Sequence, residues 1–190
     1  MADTATETSP LNGRAGSRAD SAVIVEHPHL GKIDLRGDPG DTAFMDAVAE
    51  ATGAAPPVAA NTVATAGKNS ILWLGPDEWL LVTPEGKQGQ AKAALRTALE
   101  GQHVSIVDTT DARTTIRLHG ANARNVLMKG CPLDLHPRVF TPGQCAQSIL
   151  AKADVLIHQL DDAPTYDIHV LCSFSRYLWD WLADAAKEFS

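Results

Sequence analysis

What this chain lacks narrows what it can be. It has no uninterrupted apolar run of about 18 residues, the length a helix needs to cross a bilayer, so no membrane span is expected. Residues 1–20 lack the basic start and apolar centre of a secretory leader, which points to the cytoplasm. Cysteine is scarce: Cys131, Cys145 and Cys172 form an odd, widely spaced set. They have neither zinc-ligand spacing nor the density of a disulfide scaffold, so reduced thiols are expected. Basic residues are outnumbered, 16 Lys and Arg against 23 Asp and Glu, for a net charge of -7. That balance argues against nucleic acid, whose binding rests on neutralising phosphates. No Gly-x-Gly-x-x-Gly follows a strand pattern, and the phosphate-cradling and serine-nucleophile glycine motifs are missing too.

What is present reads as a mixture of short strands and helices. A 190-residue chain that is 44% hydrophobic can bury one good core or two small ones. Residues 1–20 are rich in Ala, Thr, Ser, Gly and Asp and read as a disordered arm. Leu11 is its one notable apolar residue, either idle or a point at which the arm orders on a partner. Strands are expected at 22–26 and 32–36, followed by a helix over 42–52 capped by Asp41 or Thr42 and ended by Gly53. A weak edge strand at 61–66 precedes strands 70–74 and 78–83, joined through Gly75-Pro76-Asp77. A helix over 90–99 turns Ala91, Ala94, Leu95 and Ala98 toward a sheet. Strands 103–108 and 113–119 read as a hairpin, and the alternation of Thr114, Ile116 and Leu118 with Thr115, Arg117 and His119 leaves one face wet or against a partner.

The stretch 120–146 organises the second half. Ala123, Val126 and Leu127 recur at helical spacing, Gly130 reads as a left-handed helix stop, and Pro132 prevents resumption. Leu133, Leu135, Val139 and Phe140 then sit in a loop that is too apolar to be left in water. A three-strand meander follows at 146–150, 154–159 and 166–172, and a final helix spans 173–189 with Ser173 as N-cap. Phe174, Leu178, Trp181, Ala185 and Phe189 make its apolar stripe. Trp179 falls outside that stripe, so it is either tucked under a loop or an anchor for another subunit. The pattern as a whole predicts an α+β fold: antiparallel sheets with helices packed on them. The domain proper is 21–190, with a possible subdivision near 102.

The search for chemistry finds isolated groups. His27 and His29 could share a face, but Pro28 separates them and no third metal ligand is near in sequence. His119, His136, His158 and His169 have no fixed spacing to a thiol or carboxylate. Cys131 follows a helix C-terminus, where the dipole disfavours a thiolate. Asp108 and Asp111 read as turn residues. The residues alone point to a chain with no catalytic, cofactor-binding or metal residues of its own.

Four segments carry a resemblance: 73–81, 108–118, 120–146 and 177–182. Together they resemble the gamma subunit of heterotetrameric sarcosine oxidase, and Ser9-Pro10-Leu11 looks like that family's start. The resemblance implies a fold of two α/β subdomains related to the folate-binding aminomethyltransferase fold of the glycine-cleavage T-protein. It also implies a non-catalytic assembly subunit of a complex that demethylates sarcosine to glycine and releases hydrogen peroxide. FAD, FMN and NAD would sit in the partner subunits, with tetrahydrofolate as a substrate of the complex and a large alpha subunit as neighbour. On this reading Leu11, Leu133, Leu135, Phe140 and Trp179 are the candidate interface residues. The alternative is a stand-alone folate-binding or one-carbon-transfer protein.

Overall fold

The computed structural model describes residues 8–12, 14, 18–19 and 21–189. Its strands form two sheets, antiparallel throughout. The larger runs, in spatial order, β1 (Arg18–Ala19), β2 (Ala22–His27), β8 (Arg113–His119), β11 (Thr165–Leu171), β10 (Ala153–Asp161) and β9 (Cys145–Leu150). The smaller runs β4 (Val63–Ala66), β5 (Asn69–Gly75), β6 (Glu78–Thr83), β3 (Gly31–Arg36) and β7 (Ser105–Asp108). Helices α1 (Thr42–Thr52) and α2 (Gln88–Ala98) cover the outer face of the smaller sheet; α3 (Ala123–Met128) and α4 (Cys172–Ala186) cover that of the larger. The result is helices, sheet, sheet, helices: the expected α+β class.

Period-two alternation decides which residue enters which layer. On the smaller sheet Ile33, Leu35, Ile71, Trp79 and Leu81 turn outward and pack with Phe44 and Val48 of α1 and Leu95 of α2. Trp79 donates its indole N–H to the Pro57 carbonyl at 2.8 Å, so its one polar group is satisfied inside the core. On the larger sheet Ile24, Ile116, Leu118, Ile157, Ile168 and Val170 meet Val126 and Leu127 of α3 and Leu178 and Leu182 of α4. A third, smaller cluster (Leu72, Leu80, Val82, Cys145 and Leu156) lies between the sheets. Helix α1 keeps its expected caps: Asp41 accepts the Ala43 N–H at 2.9 Å, and Gly53 closes the helix at φ 91°.

Several expectations change. Strands β7 and β8 are not a hairpin: β7 pairs with β3 and β8 with β2 and β11. A 3-10 turn at Thr110–Ala112 carries the chain from one sheet to the other, pinned by Lys32 N–H to Thr110 Oγ1 at 3.0 Å and Thr109 N–H to the Lys32 carbonyl at 2.8 Å. The chain therefore crosses between sheets twice, at 28–30 and at 109–112, rather than dividing once near 102. Gly130 is not left-handed; a Cβ there would lie 2.5 Å from the Trp181 ring, so glycine serves close packing of α3 on α4. Ser173 is not the cap of α4, which begins at Cys172. The buried face of α4 is Ser175, Leu178, Trp179, Leu182, Ala185 and Ala186, rotated from the expected stripe so that Phe174 points outward.

The arm is also partly fixed. Leu11 is only 3% exposed, Arg176 donates to the Pro10 carbonyl at 3.0 Å, and Arg14 pairs with Asp180. Ser9 bonds to Glu26. One leucine and its polar flanks suffice to hold residues 8–12 and 14 on α4 and β2, which composition alone did not reveal. The rest of the expected arm, 1–7, 13, 15–17 and 20, lies outside the described residues.

Candidate functional site

The inner face of the larger sheet collects the chain's buried ionisable groups. Register places His158 of β10 opposite Asp167 of β11, and Asp167 opposite Arg117 of β8. One step along, His169 of β11 faces Thr115 of β8, and Thr115 faces His27 of β2. Neighbours in such rows stand about 5 Å apart, close enough to interact directly. Arg117 grips Asp167 with two parallel bonds, Nε to Oδ1 at 2.7 Å and Nη2 to Oδ2 at 2.8 Å. The His169 Nδ1 lies 3.0 Å from Thr115 Oγ1. From the smaller sheet Lys32, 0% exposed, donates to the Leu30 carbonyl at 2.9 Å.

Burial governs the charge states. It pushes His158 down to about 4 and His169 down to about 3, so both rings are neutral near pH 7. Burial also lowers Lys32 to about 8, against the attraction of Cys172, Asp167 and Glu26. Burial acts on Asp167 in the opposite sense and is the largest single influence, but the Arg117 hydrogen bonds and the electrostatic attraction of its neighbours together outweigh it and hold the carboxyl below its ordinary value. An ion pair and two neutral imidazoles thus occupy a layer where leucines would be the simpler filling. Beside them opens a cavity of about 530 Å³ lined by His27, Lys68, Arg117, His158, Asp167 and His169 among others. Among the described residues no group of three or more His, Cys, Asp or Glu side chains is placed to hold a metal ion. Cys145 is buried, with its thiol pushed up to about 11 by burial, which makes it a poor nucleophile.

Sequence reading missed this site. His158 belongs to β10, Asp167 and His169 to β11 and Arg117 to β8, and only the sheet register unites them. The available signal was the alternation in 113–119, whose polar face was read as wet or partner-facing; it faces the second sheet of the same chain.

The five candidate interface residues have different fates. Leu11, Leu135, Phe140 and Trp179 are 3%, 1%, 6% and 4% exposed, all within the core of the larger sheet, so the premise that they lack a place in their own chain is corrected. The loop buries Leu135 and Phe140 by folding on itself: Asp134 accepts the His136 N–H at 2.9 Å, and Gln144 Oε1 accepts the Thr141 N–H at 2.7 Å. It then stitches the sheets, with Val63 N–H to the Gly143 carbonyl and Cys145 N–H to the Asn61 carbonyl, each at 2.9 Å. Leu133 alone of the five remains partly exposed. The outer surface instead shows Phe174 and Tyr177, 43% and 40% exposed, three residues apart on α4.

Comparison with known proteins agrees with this architecture. The model of the sarcosine oxidase, gamma subunit family matches residues 36–188. The sarcosine oxidase gamma subunits of Corynebacterium sp. (strain P-1) and of an Arthrobacter species are each 35% identical over 176 residues, covering 92% of this chain and 85% of theirs. A chain of the heterotetrameric sarcosine oxidase of Corynebacterium sp. U-96, solved with pyrrole 2-carboxylate, superposes with a TM-score of 0.89 at 32% identity, over 97% of this chain and 96% of that one. The aminomethyltransferase T of the glycine cleavage system from Bartonella henselae shares the fold, with a TM-score of 0.66 at 16% identity, over 91% of this chain and 47% of that one. With a matching family model across most of its length and relatives alike along nearly all of it, this chain belongs to the sarcosine oxidase gamma subunit family.

Proposed function

We propose that the chain is a structural subunit of a heterotetrameric sarcosine oxidase and has no turnover of its own. The observation that carries this reading is likeness along nearly the whole chain, 35% identity over 92% of it, to curated gamma subunits. FAD, FMN and NAD would be held by the partner subunits, and tetrahydrofolate would be used by the complex. The large subunit would dock on the exposed aromatic pair Phe174 and Tyr177 of α4, and the partly exposed Leu133 would also belong to the interface. Aromatic side chains dominate contact energies in such interfaces. Leu11, Leu135, Phe140 and Trp179 would support that surface from beneath rather than touch the partner. The test is a pull-down of the tagged chain from its native cell. Co-purifying larger chains with flavin absorbance and sarcosine-dependent oxygen uptake are expected; recovery of the chain alone and colourless would contradict the reading.

A further inference from the structure

We infer that the cavity between the two sheets is a binding site for a small aliphatic monocarboxylate. Three donors face a space of about 530 Å³, within the range of small-molecule pockets. His158 is 4% exposed and lines the cavity, yet its ring has no hydrogen-bond partner among the described residues. The ring nitrogens therefore open on the cavity and are free to bond a solute or water there. Arg117 uses Nε and Nη2 on Asp167, which leaves the two N–H groups of Nη1 for another acceptor. Lys68, exposed at the rim, has no carboxylate partner among the described residues.

Charge sets the class of ligand. Arg117 and Asp167 cancel, and the histidines are neutral; the buried Lys32 does not line the space and is attracted by Asp167 and Glu26, so the lining itself carries one uncompensated positive charge, that of Lys68. A monoanion balances it. A dianion such as phosphate would leave one negative charge beside Asp167, and a metal cation would meet two fixed positive groups. The remaining wall includes Leu30, Val82 and Leu160, which offers apolar surface to a short aliphatic body. A carboxylate accepts from all three donors in the way a guanidinium and an imidazole N–H favour.

The experiment is calorimetric titration of the full chain, in whatever complex it co-purifies with, using sodium butyrate, sodium acetate and inorganic phosphate at matched ionic strength. Saturable binding of butyrate, tighter than acetate, is expected at one site per chain that Lys68→Met weakens at least tenfold. Any site in a partner subunit is common to both proteins, so the difference between them reads this cavity. His158→Phe should abolish the same site. If it prevents folding, Lys68→Met still decides, because that side chain lies at the exposed rim. Equal binding by wild type and Lys68→Met, no saturable binding, or binding of phosphate alone would overturn the assignment. The pull-down above is unaffected by any of these outcomes, so this inference and the subunit reading fail independently.

Discussion

The two faces of the larger sheet are built on opposite principles. The outer face meets α3 and α4 through Ile24, Ile116, Leu118, Ile157 and Ile168, each fully buried and wholly apolar. The inner face, one residue out of phase on the same strands, carries Thr115, Arg117, His158, Asp167 and His169. Stability comes from the first, by burial of apolar area worth about 25 cal/mol per Å². The second costs stability, because each ionisable group there must be kept neutral or paired. The comparison separates what holds the chain together from what shapes its cavity.

The largest expected effect strikes the outer face. Trp179→Ala should destabilise the chain by ~3–5 kcal/mol, the cost of emptying a buried aromatic site. Urea denaturation measures it, and a loss below ~1 kcal/mol would mean that the ring is not a core residue. On the inner face, Arg117→Met should cost about 3 kcal/mol, because Asp167 is left buried and unpaired. Adding Asp167→Leu should restore most of that loss. If the double variant is as unstable as the single, the ion pair is not the reason.

Acid should expose the same contrast. A histidine whose folded value lies below its ordinary 6.5 takes up its proton more readily when unfolded. Stability should therefore fall as pH drops below about 6.5, by about 1.4 kcal/mol per pH unit for each such histidine. For His158 the fall continues until about 4 and totals on the order of 3 kcal/mol; for His169 it continues to about 3. His158→Gln should remove that residue's share of the slope between pH 6.5 and 4 and leave that of His169, and an unchanged profile would contradict the burial of the His158 ring. Lys32→Met should act in the opposite direction and stabilise by about 2 kcal/mol at pH 7, since a fully buried charge is replaced by a thioether of similar length. The smallest effect on folding should come from the outer surface of α4. Phe174→Asp with Tyr177→Asp should change chain stability by no more than ~0.5 kcal/mol, yet prevent retention of the large subunit in a pull-down.

Much of the outer architecture was legible because it depends on local periodicity. The Asp41 and Gly53 boundaries of α1, the meander of β9, β10 and β11, and the edge position of β4 all follow from caps, turns and alternation near in sequence. The inner layer was not legible, since partners such as Arg117 and Asp167, or Lys32 and Thr110, are joined only by the arrangement of the two sheets. The same holds for β7 and β8. Adjacent strands with a short link look like a hairpin until the inner polar face of β8 is given a second sheet to meet. Sequence periodicity puts Trp179 outside the apolar stripe of α4, whereas the buried face of that helix is rotated and takes in Trp179 beside Leu178 and Leu182.

The most direct measurement compares sarcosine-dependent oxygen uptake, and its half-life on heating, for the partner subunits expressed with and without this chain, beside the chain alone. The chain alone should show no uptake, and its omission should abolish assembly or markedly shorten the half-life of the remaining subunits. Turnover by the isolated chain, or an assembly equally active and durable without it, would contradict a structural role.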